Sequence, residues 1–336
     1  MRRVLAVGLL TLALLSTAAV SPANACGCGG VVGPADTSIA ASSERAIISW
    51  NGKRETIELT FDIESDSATA GLIVPTPTAA TISAGDLRTF DVIESVIQPE
   101  VKVEKDWWGI DYFVPDPAPI AADTSARVPL GPIQTSTIAA SDTIALQAWL
   151  TLNGYGVTDA MADAIKTYAD YGWTFTLISL TSEDVINGHI DPIRLSFDTN
   201  RLVYPMRLAR SESTTQDVRL YVFDDHRTDV TQAAAPTLKI DGEVVDLYAG
   251  KVHDARLTSL GDYLSAFQIT YTDPKNQVTS DIGFFESLSD ENLSTTVTEY
   301  RPVTLLGLPV GTLVVVWTLL GVVLVVGHFR GRRKAR

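Results

Sequence analysis

A β-rich α+β fold, mainly antiparallel sheet with two short packed helices near 141–172, is predicted by three observations. Runs that alternate apolar and polar β-favouring residues, such as Arg54 to Ile63, recur along most of the chain. Asn51-Gly52 and Asp241-Gly242 fall between such runs, and two-residue hairpin turns need the positive φ that Asn, Asp and Gly adopt. Helical periodicity, by contrast, is confined to short windows.

The elements follow in order. Arg45 to Trp50 and Arg54 to Ile63 form an N-terminal hairpin around Asn51-Gly52. Ala70 to Val74 is a strand that Pro75-Thr76-Pro77 ends, since neither proline can donate to a ladder. Gly85 to Val96 reads as a turn and short helix. From Trp107 to Pro132 the density of Pro, Asp and Gly predicts a surface loop, either a lid or a division between two lobes near 107–140. Ser141 or Asp142 caps a helix carrying Leu146, Trp149 and Leu150, and Asn153-Gly154 stops it. Thr158 or Asp159 starts a second, with Met161, Ile165 and Tyr168 on one face and Gly172 after its end. Strands are then expected at Trp173 to Leu180, Ile193 to Phe197, Leu202 to Leu208, Val218 to Phe223, Thr237 to Ile240, Val244 to Tyr248 and Ala266 to Thr272.

The two ends set the expected topology. Arg2 and Arg3 precede an apolar run, and Ala23-Asn24-Ala25 offers small residues where a signal peptidase reads, so residues 1–25 are expected as a signal peptide cut between Ala25 and Cys26. Residues 303–329 carry no acidic or basic side chain except His328, enough for one C-terminal transmembrane helix. Residues 330–336 form a basic tail, which positive-inside logic places in the cytoplasm. Residues 26–285 are then an extracytoplasmic domain and 286–302, polar and acidic without periodicity, a stalk. The expected localisation is the cell membrane, single-pass, with the N-terminal domain outside.

Between leader and tail, 19 Lys and Arg stand against 40 Asp and Glu, a net charge of −21. Nucleic acid and anionic lipid headgroups would both be repelled, so no nucleic-acid partner is expected. Two cysteines exclude a disulfide scaffold.

Several strings together resemble one family. They are Ala25-Cys26-Gly27-Cys28-Gly29, Trp50-Asn51-Gly52, Ile73-Val74-Pro75-Thr76-Pro77, Gly85-Asp86, Trp149-Leu150 with Asn153-Gly154-Tyr155, Gly172-Trp173, Asp191-Pro192 and Tyr204-Pro205-Met206-Arg207-Leu208. The chain is similar in these to the exported bacterial proteins of domain of unknown function 2330 (DUF2330), common in actinobacteria. The resemblance implies a secreted or membrane-anchored envelope protein and brings neither an activity nor a catalytic residue.

Chemistry is densest at Cys26-Gly27-Cys28. The two thiols suit a disulfide, either a structural fastening of the N-terminus or a redox-active bond because its loop is so small, or a soft metal such as copper or zinc held with the new α-amine. Lipidation of Cys26 fits the preceding Ala23-Asn24 poorly. Trp107, Trp108 and Tyr112 are candidate contacts for a sugar or peptide ligand. Asp224-Asp225-His226 with Asp229 is a weaker divalent-ion candidate. No motif specifies a cofactor. Gly307 and Gly311 have the spacing that lets two membrane helices approach, a case for a homodimer. The favoured function is a non-catalytic binding or structural ectodomain at the outer face of the cytoplasmic membrane, with a cell-wall or membrane-protein partner. The alternatives are metal handling or thiol redox through Cys26 and Cys28, and, with no motif behind it, a cell-wall hydrolase.

Overall fold

The computed structural model describes residues 24–25, 27, 29–108, 134–139, 142–235, 237–305 and 307–334. Along the chain run β1 (Asn24–Ala25), β2 (Gly30–Val32), β3 (Ile39–Trp50), β4 (Arg54–Ser65), β5 (Thr69–Thr76) and β6 (Thr81–Ala84). Helix α1 (Leu87–Val96), β7 (Glu100–Asp106), β8 (Gln134–Ala139), α2 (Thr143–Asn153), α3 (Asp159–Asp170) and β9 (Thr174–Thr181) follow. Then come β10 (Asn187–His189), β11 (Ile193–Asp198), β12 (Val203–Tyr204), a 3-10 turn (Arg207–Ser211), β13 (Gln216–Asp224) and β14 (Thr228–Gln232). The last elements are β15 (Glu243–Lys251), β16 (Tyr263–Tyr271), α4 (Pro274–Gln277), β17 (Ile282–Glu286), β18 (Leu293–Ser294), β19 (Thr296–Pro302), β20 (Thr304–Leu305), β21 (Leu308–Pro309) and α5 (Val310–Lys334).

Four layers stack. A sheet ordered β18-β15-β16-β13-β3-β4-β11-β6, with β10 beside β4, faces a five-stranded sheet ordered β1-β2-β5-β9-β8. The core between them takes Ile57, Leu59 and Phe61 from β4, Leu220 and Val222 from β13, and Leu72, Val74, Ile178 and Leu180 from the smaller sheet. The three-stranded sheet β12-β17-β14 adds Tyr204, Ile282 and Phe284 to the same core. This one core draws on residues before and after the 107–140 region.

Alternation along each strand supplies the outer layers. Ile73, Phe175 and Leu177 point away from the shared core and meet Leu146, Leu150, Met161, Ile165 and Tyr168 of α2 and α3. The caps are those read from the sequence: Asp142 accepts from Ala145 N, Thr158 accepts from Met161 N, and Gly154 ends α2 at φ 69°. On the opposite face Ile47, Tyr221, Phe223 and Leu264 meet Phe90 and Ile93 of α1, whose N-cap Asp86 accepts from Arg88 N. Among the described residues, strand pairing is antiparallel except for β13 on β3 and β19 on β7.

Several expectations are corrected. Pro75 does not end its strand but lies opposite Phe175 in β5. Because β2 pairs only with Gly71 to Ile73, the missing N–H of Pro75 breaks no ladder on that side. Leu202 to Leu208 is two residues of strand followed by a 3-10 turn, since Pro205 interrupts it. Residues 237–240 are not a strand, and Asp241-Gly242 joins no hairpin, because β14 pairs with β17 instead of β15. The acidic stalk is partly structured: Leu293–Ser294 edges the large sheet and Thr296–Pro302 pairs with β7.

The helix expected over Val303 to Phe329 begins only at Val310, after β20 and β21 fold back across Gly307 at φ 80°. Among the described residues no helix is long and apolar enough to cross a membrane. Residues 1–23 of the expected leader, Tyr112 and both cysteines lie outside the described residues, whereas the leader's last two residues, Asn24 and Ala25, form β1 against β2.

Candidate functional site

One irregularity in β3 positions the two most elaborate polar clusters. Ser42 stands opposite Asp62, but Arg45 stands opposite Thr60, so Ser43 and Glu44 together face one residue of β4. Ser43 takes φ 52°, unusual for a side chain other than glycine's and typical of a bulge. The extra residue reverses the alternation. Ile39 and Ala41 point into the core before it, Ala46 and Ile48 after it. Glu44 is thereby turned inward and Arg45 outward.

On the inner side, buried Glu44 accepts a hydrogen bond from the Tyr204 hydroxyl. Gly27 is buried against the same carboxylate. A Cβ on it would stand 2.9 Å from Val218 Cγ2, 3.0 Å from Glu44 Oε2 and 3.1 Å from Met206 Sδ. The residue between the two cysteines in sequence therefore has a carboxylate and a thioether beside it, and only glycine fits there.

Met206 leads into a closed network. Its amide and the Tyr168 hydroxyl both donate to Asp281 Oδ1, at 2.9 Å and 2.5 Å, while Arg207 Nε donates to Oδ2 at 3.1 Å. Arg207 also donates through Nη1 to the Thr279 carbonyl at 3.1 Å and lies 5.6 Å from the Tyr171 ring centre. Burial, then the Asp281 charge, pushes the Tyr168 phenol well above its ordinary range, so it stays a donor. With every member satisfied, this network ties α3, the 3-10 turn and the start of β17 together.

On the outer side, β10 brings His189 opposite Asp62. His189 Nδ1 lies 3.1 Å from Asp62 Oδ1, and Nε2 lies 2.8 Å from Thr60 Oγ1 and 3.2 Å from Arg45 Nη2. Hydroxyl, imidazole and carboxylate stand in the order of a nucleophilic triad. The chemistry does not follow from the order. Thr60 is fully buried and its hydroxyl donates to the Ile190 carbonyl at 2.5 Å, so the oxygen has neither a free proton to give nor a substrate to reach. Beside it Arg194 pairs with Glu58 at 2.6 Å, and Glu58 also holds the amide of Asp86 at 2.5 Å. Sequence reading missed this cluster because Thr60, Asp62 and His189 share no local motif.

Trp107 and Trp108 follow β7 directly and are 56 % and 59 % exposed. Their backbone is fastened to the start of α5. Gly311 N donates to the Trp107 carbonyl at 2.8 Å, Val303 N to the Asp106 carbonyl at 2.8 Å, and Asp106 Oδ1 accepts from Trp108 N at 2.9 Å. Trp108 occupies the face of Gly311, where a Cβ would meet its Cα at 2.6 Å. A second helix seated on Gly311 would have to displace Trp108; Gly307 has nothing within 4 Å.

The family model for DUF2330, described as "uncharacterized protein conserved in bacteria", matches residues 22–285. The chain belongs to that family. No curated protein matches it. Among solved structures the crystal structure of baculovirus P35 aligns at 10 % identity over 77 % of this chain and 97 % of that one, with a TM-score of 0.34.

In this DUF2330 domain the remaining sequence-marked residues are dispersed. His226 Nδ1 meets Asp290 Oδ2 at 2.8 Å at the surface, and that hydrogen bond raises the imidazole pKa. Asp225 and Asp229 do not join it in a ligand set: among the described residues no group of three or more His, Cys, Asp and Glu is arranged to hold a metal. Two buried acids went unnoticed in the sequence. Burial pushes Glu55 well up, partly offset by the Val203 amide, and raises Glu212 to about 9 with Oε1 unpartnered.

Proposed function

We propose that the protein is a membrane-tethered, extracytoplasmic β-sandwich with a binding or structural role, held at the outer face of the cytoplasmic membrane by α5. The carrying observation is the surface of α5. Val314, Val315, Val316, Trp317, Leu319, Leu320 and every residue from Val322 to Val326 are exposed on a 25-residue helix. An isolated helix that is apolar on all sides needs an apolar surrounding. The described apolar side chains from Val310 to Val326 fall short of the ~20 residues of a full span, but the sequence continues without Asp, Glu, Lys or Arg to Phe329. The five Lys and Arg after it support a cytoplasmic C-terminus.

Expressed in its own bacterial envelope, the full chain should stay in the pellet after alkaline carbonate extraction. Protease added outside should digest the sandwich and spare a C-terminal tag. Release by carbonate, or a tag cut from outside, would overturn the reading.

A second reading, metal handling or thiol redox by Cys26 and Cys28, is favoured by the Met206 thioether and Glu44 carboxylate beside Gly27. A thioether next to thiols suits Cu(I). Intact mass of the native protein with and without alkylation should then show free thiols or a retained ion, lost in Cys28→Ser. An oxidised, metal-free pair would end this reading. Nothing in the Thr60, His189 and Asp62 geometry supports the hydrolase.

A further inference from the structure

We infer that Trp107 and Trp108 form a lipid-interface contact, seated in the headgroup and glycerol layer of the outer leaflet, that sets the height of the sandwich above the bilayer. The inference rests on the membrane reading of α5 and names a partner for the two tryptophans beside it. Three observations carry it.

First, the two indoles are exposed although large and apolar, and their backbone is hydrogen-bonded to the opening turn of α5 through Gly311 N and the Trp107 carbonyl. Wherever that turn sits, the pair sits too. Second, the attachment is built from residues far apart in sequence. β7 and β19 pair in parallel from Glu100 with Thr296 to Asp106 with Pro302, and Val303 N then closes onto the Asp106 carbonyl. This ribbon brings the tryptophans to a helix that starts about two hundred residues later. Third, the flanking surface is apolar in the same place, with Leu305, Leu308 and Tyr300 exposed beside the junction. Indoles combine an apolar body with an N–H donor and favour the membrane–water boundary. The contact is aromatic, not ionic: a domain of charge −21 gains nothing from anionic headgroups, so zwitterionic lipid suffices.

The geometry gives a depth order. Trp317 lies six residues beyond Gly311, about 9 Å further along the helix. The full chain is reconstituted into phosphatidylcholine vesicles whose acyl chains carry bromine either near the glycerol or near the chain end. Trp317→Phe should remove emission quenched by the deep bromine. Trp107→Phe with Trp108→Phe should remove emission quenched by the shallow bromine and leave the deep component intact. Iodide added to the full chain in these vesicles should quench Trp107 and Trp108 less than it quenches them in the same chain held in detergent. If Trp317 is quenched deeply but the double variant keeps the whole shallow component, the interface contact is wrong and the anchor stands. If no bromine reaches Trp317, both fail. Unchanged thermal unfolding of the double variant confirms that the loss is of a contact and not of the fold.

Discussion

Trp108 lies across Gly311, so closely that a Cβ on the glycine would stand 2.6 Å from Trp108 Cα and 2.8 Å from Cε3. The small residue that suggests a seam between two helices is thus filled from within the chain. Gly311→Leu should push Trp108 aside and break the Gly311 N to Trp107 carbonyl bond, an overpacking cost of about 1–3 kcal/mol. Amide hydrogen exchange should rise at residues 303 and 311 while the β3–β4 hairpin stays protected. Unchanged exchange there would show that the contact does not hold the ribbon to the helix.

Asp281 is the shared acceptor of Tyr168, Met206 and Arg207. Arg207 has a side chain only 11 % exposed. Asp281→Ala leaves that guanidinium without its carboxylate and should cost about 3–5 kcal/mol in urea unfolding. Tyr168→Phe removes one bond to a charged acceptor and should cost about 1.5–3 kcal/mol. Equal losses would mean that the phenol, not the ion pair, organises the junction.

Gly27 is held against Glu44, Met206 and Val218 with no room for a methyl group. Gly27→Ala should destabilise by about 1–3 kcal/mol through overpacking. Because the residue separates Cys26 from Cys28, the same variant should also alter the alkylation rate of the two thiols. A variant as stable and as reactive as the parent would contradict the tight seat of Gly27 against Met206.

Glu212 has its pKa raised to about 9 by burial. The native state therefore binds the proton more tightly than the unfolded chain, whose value is near 4.5. Stability from this group is complete below about pH 4.5 and declines as pH rises toward 9. Comparing urea midpoints at pH 5 and pH 8, Glu212→Gln should flatten the decline, whose slope from one such group is at most about 1.4 kcal/mol per pH unit. Parallel pH profiles for the two proteins would contradict this.

Ser43 adopts φ 52° at the β3 bulge. Ser43→Gly should be neutral or stabilising, while Ser43→Val should cost about 1–2 kcal/mol, since a β-branched side chain resists the left-handed region. Chemical shifts of Arg45 and His189 should move in the valine variant, because the bulge aims one at the other. A tolerant position would separate the bulge from the cluster.

Elements governed by neighbours in sequence were legible. The hairpin at Asn51-Gly52, with Gly52 at φ 83°, the caps Asp142 and Thr158, and the stop at Gly154 each depend on a few adjacent dihedrals and hydrogen bonds. Met161, Ile165 and Tyr168 are buried as their spacing required. The family, too, was visible in short strings. Arg207 meets a carboxylate because a lone buried charge is too costly, yet nothing local to it names Asp281, 74 residues away.

Tertiary structure decided whatever depended on register and on distant partners. A one-residue bulge at Ser43 reversed which face Glu44 and Arg45 occupy, and alternation alone has no means of announcing such a phase change. Pro75 remained in its strand because β2 stops short of it, a fact about the neighbour. The parallel pairing of β7 with β19 joined Trp107 and Trp108 to α5 across the length of the domain. Local patterns are set by short-range sterics and solvation, which one segment carries in itself. Clusters such as Thr60, Asp62 and His189 exist only once the core has chosen which strands lie side by side.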